Sequence, residues 1–70
     1  MSEQATEIPE LFAELDKNIR ELLSLVKMLK IDVIINADNE TVSNRLEKSL
    51  FLAQKIQTNL YSLLCSVKER

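Results

Sequence analysis

The stretch FAELDKNIRELLSLVKMLKIDV, residues 12–33, decides the fold of this chain. Its apolar side chains recur in alternating steps of three and four residues, at Phe12, Leu15, Ile19, Leu22, Val26, Leu29 and Val33. In a heptad repeat the first of these is position a, the next is position d, and so on in turn. The pattern predicts an amphipathic helix over residues 8–36. Pro9 fits its first turn, where the amide proton that proline lacks is not needed.

A second heptad pattern covers residues 40–69. Its core positions are Val42, Leu46, Ser49, Ala53, Ile56, Leu60, Leu63 and Val67. Between the two patterns the chain is polar, so we predict a loop at residues 37–39, with Asp38 or Asn39 capping the second helix. Residues 1–7 follow no pattern, and we predict a flexible acidic tail there.

The two patterns match each other when the chain folds back on itself. If residues whose numbers add up to 75 face each other, core positions meet core positions, with Leu15 against Leu60 and Leu29 against Leu46. A short loop closes this register. The predicted fold is therefore all-α, an antiparallel, coiled-coil-like two-helix hairpin formed by residues 8–70. The alternative is a strand at residues 31–35, where β-branched side chains favour extended structure, although the helical pattern continues through them.

The composition favours long helices and argues against catalysis. The 70 residues contain no glycine, no histidine, one proline and one cysteine, Cys65. Histidine acid–base and metal chemistry is therefore excluded, and Cys65 has no histidine that would activate it. We predict that the protein is not an enzyme, has no small-molecule substrate and uses no metal or cofactor. The lone cysteine and the lack of an apolar leader favour a reducing, intracellular compartment, and we expect the cytoplasm.

The charge pattern favours neither nucleic acid nor membrane as the partner. Nine basic and eleven acidic residues give a net charge of −2, which offers no strong attraction to phosphates or anionic lipids. Arg45, Lys48 and Lys55 form a thin basic line on the second helix, but aromatic residues that would stack on bases are lacking there. The apolar runs are only a few residues long, so we predict no insertion into a membrane.

The hairpin has more apolar side chains than its own core can bury. We predict that the surplus forms a partner-binding surface, made of Leu23, Leu25, Met28, Ile31, Ile34, Ile35, Leu50, Phe51 and Leu52. Exposed apolar stripes usually mark protein contacts, so we expect a helical bundle completed by homo- or hetero-oligomerisation. The function that follows is a small helical interaction module, which serves as a complex subunit or a co-chaperone-like adapter and binds a partner helix. The alternative is a homodimeric four-helix-bundle regulator associated with nucleic acid.

The size and the predicted architecture of the chain also suggest a comparison. In these two respects it resembles the small hairpin co-chaperones of type III secretion needle subunits, and also the minor coiled-coil subunits of large eukaryotic assemblies. Either resemblance implies a chaperone-like adapter or a structural subunit that acts through helix packing.

Overall fold

Two long helices packed side by side make up the structure. The computed structural model describes the backbone of residues 2–69 and the side chains of residues 7–69. Helix α1 covers Ser2–Ile34 and helix α2 covers Asn39–Lys68, and they pack against each other along a body of 53 × 14 × 13 Å. No strand occurs within residues 2–69, and α1 runs helically through residues 31–34. The predicted all-α hairpin is therefore confirmed and the alternative strand is wrong.

Helix α1 begins earlier than the sequence predicts. It starts at Ser2 instead of Ile8, so residues 2–7 of the predicted tail continue the helix, while Met1 lies outside the described residues. Glutamate, glutamine and alanine in this segment have high helix propensity, which explains the extension. Pro9 consequently lies inside the helix and not in its first turn. There it cannot donate the hydrogen bond that the carbonyl of residue 5 would otherwise accept.

Helix α1 ends in a Schellman motif that does without glycine. Asn36 takes the left-handed conformation with φ of 63°. The amide of Ala37 donates to the carbonyl of Asp32 at 2.8 Å, and the amide of Asn36 donates to the carbonyl of Val33 at 3.3 Å. This pair of bonds defines the motif and stops the helix at Ile34, two residues before the predicted end. Asparagine is among the residues that tolerate this conformation best.

Helix α2 begins after Asp38, one of the two predicted cap residues, but the Asp38 side chain accepts no capping hydrogen bond from the amides of the first turn. Asp38 is the N-cap residue and has extended backbone angles, φ −67° and ψ 158°. The hydroxyl of Thr41 donates to Oδ1 of Asp38 at 2.6 Å, and this hydrogen bond holds the pKa of the Asp38 carboxyl below its ordinary value of 3.8. At the other end Lys68 lies in the last turn, where a positive charge suits the helix dipole. Arg70, the end of the predicted hairpin, lies outside the described residues.

The register of the two helices differs from the prediction. The amides of Asn18 and Asn59 are hydrogen-bonded, and Asp32 faces Arg45, so facing residues have numbers that add up to 77 instead of 75. The predicted register, with Leu15 against Leu60 and Leu29 against Leu46, is therefore wrong, and Leu60 and Leu46 are exposed. Each helix is turned by about one heptad position, so that positions d and g of α1 face α2.

Candidate partner-binding surface

The inner face of the hairpin is narrow and partly polar. In α1 the buried and half-buried side chains are Ile8, Leu11, Leu15, Asn18, Leu22, Leu25, Leu29 and Asp32. In α2 the corresponding set includes Val42, Arg45, Ser49, Leu52, Ile56, Asn59, Leu63 and Ser66. Ser49 donates its hydroxyl to the carbonyl of Arg45 at 2.8 Å, which satisfies it within its own helix. Four of these positions carry an amide or a charge, so the hairpin interior alone is a weak hydrophobic core.

A pair of asparagines forms the first polar layer of the interior. Nδ2 of Asn18 donates to Oδ1 of Asn59 at 2.7 Å, and the two residues are only 3% and 6% exposed. A buried amide without a partner is costly, so each asparagine specifies that the other lies opposite. Buried asparagines are a known means of fixing register in helical bundles.

An ion pair forms the second polar layer. Nε of Arg45 lies 3.3 Å from Oδ2 of Asp32, and Asp32 is 5% exposed. Oδ2 accepts no well-aligned hydrogen bond from the described residues, so the attraction between the two charges is the main contact. A buried carboxylate that lost its cation would carry a large desolvation penalty. This layer therefore also depends on both of its members.

The apolar face is the largest feature of the exterior. We use this name for the exposed apolar side chains next to the inner face on one side: Phe12, Ile19, Leu23, Val26 and Val33 of α1, and Leu46, Leu50, Leu60, Leu64 and Val67 of α2. Their exposure is substantial, at 71% for Val33 and 52% for Leu60. Most of the first helix's members are the residues that the sequence pattern had assigned to the hairpin core.

Both halves of the apolar face lie on the same side of the hairpin. Antiparallel helices are related by an approximate twofold axis perpendicular to the plane that contains them, and this axis keeps equivalent heptad positions on one side. The grooves on the other side agree with this. Glu21 and Met28 of α1 line one groove together with Lys48 of α2, and Glu14 lines another with Lys55. The apolar face therefore runs along both helices, opposite these grooves.

The grooved side carries charges of both signs. Arg20 pairs with Asp16 one turn earlier, with Nε 3.0 Å from Oδ2, and both side chains are well exposed. The ammonium of Lys55 lies 5.3 Å from the ring centre of Phe51, a cation–π distance. Acidic Glu14 and Glu21 lie among these basic residues along the grooves. The grooved side is therefore not a continuous positive surface.

The structure divides the predicted partner-binding residues into three groups. Leu52, which is 5% exposed, and the half-buried Leu25 lie between the helices, because the real register turns them inward. They line the hairpin interior in this structure, and their contact with a partner stays a prediction. Leu23 and Leu50 lie on the apolar face. The remaining exposed members lie away from it: Met28, Ile31, Ile34, Ile35 and Phe51. For the exposed residues of both groups, contact with a partner stays a prediction.

Several residues of the apolar face were not predicted to bind a partner. Phe12, Ile19 and Val26 of α1, and Leu46 and Leu60 of α2, all scored as core positions of the two-helix pairing. The signal that could have separated them lies in Asn18, Asp32, Arg45 and Asn59, which are spaced fourteen residues apart in each helix. Because the spacing is the same in both helices, both polar pairs can face each other in a single register.

The described part of the chain offers neither a metal site nor a membrane span. The described side chains, those of residues 7–69, contain no cluster of three or more cysteine, aspartate or glutamate residues that could hold a metal ion. Neither α1 nor α2, as far as they are described, has a stretch long and apolar enough to cross a bilayer.

The fold and the exposed apolar face are those of a small two-helix protein that fits an interaction module. The family model described as Sulfolobus spindle-shape virus 1, protein D-63, matches residues 1–65. The chain belongs to this viral protein family. No solved structure matches the chain.

Proposed function

We propose that this chain is a small helical interaction module that buries its apolar face on the helices of another polypeptide chain. The observation that carries the proposal is the apolar face itself, which follows one side of both helices. A module of this kind acts as a subunit or adapter, without catalysis or cofactor. The exposed thiol of Cys65 fits a reducing compartment such as the cytoplasm.

Burial energetics support the proposal. Among residues 7–69 only three apolar side chains are buried, those of Leu15, Leu52 and Leu63, each still 5–8% exposed, whereas the apolar face leaves ten large apolar side chains exposed. Burying one such side chain contributes about 1.5–3 kcal/mol. Because these ten side chains are already partly buried, covering the apolar face would add a part of this free energy for each of them. Large continuous apolar patches on soluble proteins usually mark binding sites.

A partner helix would lie in the shallow depression between α1 and α2 on this side. Its own apolar residues, at spacings of three and four, would pack between Ile19 and Val26 from α1 and Leu50 and Leu60 from α2. The apolar face contains few charges to set a preference for ionic partners. An amphipathic or apolar helical surface is therefore the occupant that fits best.

A second copy of this chain is the alternative occupant. Equivalent positions of α1 and α2 lie on the same side, so the apolar face has an approximate twofold symmetry of its own. Two such faces can pack together as a four-helix bundle with a self-complementary interface. The mixed charges of the grooved side give no support to a nucleic-acid role for such a dimer.

The experiment compares one charge on three surfaces. Leu60→Glu places a carboxylate on the apolar face. Ile31→Glu places one on the patch near the loop, by which we mean the predicted partner-binding residues Ile31, Ile34 and Ile35. Thr58→Glu is the matched polar control in α2. Sedimentation velocity should show wild type and Thr58→Glu as species larger than the 8.1 kDa monomer, or as monomers that bind a hydrophobic dye. Leu60→Glu should remain helical and lose the association or the dye.

The outcomes separate the possibilities. A larger wild-type species indicates a second copy, whereas a dye-binding monomer indicates a different helical protein as partner. If only Ile31→Glu disrupts association, the partner surface is the patch near the loop. A wild-type monomer that binds no dye and unfolds cooperatively at high temperature would refute the proposed function.

A further inference from the structure

We propose that the Asn18–Asn59 and Asp32–Arg45 pairs determine which faces of the two helices pack together, and that a second packing is accessible to the same chain. In the structure the two pairs hold the apolar face outward. In the second packing the helices are rotated and bury most of the apolar face inside the hairpin. The consequence for partner binding rests on the proposed function, but the packing itself does not.

The two polar layers share one register. Asn18 and Asn59 face each other at 2.7 Å, and Asp32 and Arg45 face each other at 3.3 Å. In both pairs the numbers add up to 77, and so do those of Leu25 and Leu52, which line the same groove between the layers. Shifting one helix by a heptad would break both pairs. In one direction Asn59 would face Leu25 and Asp32 would face Leu52, and in the other Asn18 would face Leu52 and Arg45 would face Leu25. The buried groups would then lose their partners, so the layers select this register.

The same sequence also contains the heptad pattern that the second packing needs. Rotating each helix by about 50°, one heptad position, brings positions a and d to the interior and moves the polar layers to its margin. Facing residues would then have numbers that add up to 75, which requires a relative slide of about 3 Å. The interior would gain Ile19 and Val26 from α1 and Leu60 from α2. This arrangement removes most of the apolar face from solvent without any partner, while Leu23, Leu50 and Leu64 stay at the margin of the interior.

The two packings are close competitors because each is strong where the other is weak. At the middle of the hairpin the observed packing places Leu25 against Leu52, whereas the second packing would place Leu22 against the small Ala53. Towards both ends the observed packing buries polar groups, whereas the second packing would bury apolar ones. A partner on the apolar face favours the observed packing, because it covers the same side chains that the rotation would otherwise bury.

A substitution in the Asp32–Arg45 ion pair should change the free-energy difference between the two packings. Asp32→Arg would place a second guanidinium group opposite that of Arg45, at a position that is only 5% exposed, although the Arg45 side chain itself is 30% exposed. In the second packing residues 32 and 45 lie at the margin, where both charges can be hydrated. The single charge reversal should therefore penalise the observed packing far more than the rotated one.

Cysteine pairs can report the packing directly. In a Cys65→Ser background, Leu25→Cys with Leu52→Cys should form an intrachain disulfide readily, because these residues face each other in the structure. Leu22→Cys with Ala53→Cys should react slowly. Adding Asp32→Arg should reverse this preference by tenfold or more, with helix content by circular dichroism largely kept. Adding Arg45→Asp as well restores a facing pair of opposite charges, and the first disulfide should form readily again.

The exposed Asp16–Arg20 pair supplies a matched control. Asp16→Arg reverses the charge of an aspartate that is also paired with an arginine but is exposed, and it should leave both disulfide rates unchanged. The proposal is overturned if Asp32→Arg keeps the first disulfide, if it unfolds the chain so that neither pair reacts, or if the double exchange fails to restore it. The crosslinks lie within one chain. A chain that exchanges its crosslinks but never associates would therefore refute the proposed function and leave the second packing in place.

Discussion

Asn36 carries the turn in a chain that contains no glycine. Its φ of 63° lies in the left-handed region, which costs most side chains about 1–2 kcal/mol. We expect Asn36→Ala to lower the free energy of unfolding by about 1 kcal/mol, and Asn36→Gly to keep or raise it. Chemical denaturation followed by circular dichroism measures both. If Asn36→Ala proved as stable as wild type, the Schellman motif would not be limiting the hairpin.

Asp38 gives the loop a pH dependence. The hydroxyl of Thr41 lowers the pKa of the Asp38 carboxyl, so the ionised form is favoured in the folded state. A lowered pKa contributes stability above its unfolded value, and this contribution is lost as pH falls below about 3.8, through the folded pKa. Thr41→Val should return the carboxyl pKa towards 3.8, as an NMR titration of Asp38 would show. An unchanged titration would mean that the hydroxyl is not the main cause.

At the scale of the helices, the polar layers contribute to how α1 packs against α2. Asn18→Leu alone should cost about 1–3 kcal/mol, because it leaves the amide of Asn59 buried without a partner. Asn18→Leu with Asn59→Leu should recover most of this loss, since two leucines can pack where the amides met. Urea titrations of the three variants complete a double-mutant cycle. Additive single effects would show that the two side chains do not interact.

The helices themselves could be predicted from sequence, but their faces could not. The three-and-four spacing, the N-cap position of Asp38 and the short loop all follow from local propensity, and the structure agrees on each, although the Asp38 side chain makes no capping hydrogen bond. The apolar residues of α1 occupy heptad positions a and d and part of position g, however. Their spacing therefore fits a helix that turns positions a and d towards α2 as well as one that turns positions d and g towards it. The choice depends on Asn18 meeting Asn59 across the hairpin, and such contacts between distant residues leave no mark on local periodicity. The predicted partner surface shifted with that choice.

At the scale of the whole molecule, association should be visible as thermal stability. If another chain covers the apolar face, the bound state is stabilised by mass action, and the melting temperature rises with concentration. For a second copy, melting curves of purified protein over a hundredfold concentration range should shift upward by several degrees, whereas Leu60→Glu should show no shift. A wild-type melting temperature independent of concentration would exclude self-association and leave a different protein as the partner.

The positions of the two polar layers along the hairpin also set an order of events during folding. Asp32 and Arg45 lie close to the loop and are 13 residues apart in sequence, whereas Asn18 and Asn59 are 41 apart. Closing a short segment loses less chain entropy than closing a long one, so zipping starts at the loop and reaches the ion pair first. We therefore expect the Asp32–Arg45 pair to form first and to select the helix alignment while most of the chain is still unfolded. The Asn18–Asn59 pair would form later and stabilise that alignment. Truncating Asp32 should slow folding, whereas truncating Asn59 should mainly speed unfolding, as stopped-flow kinetics would show.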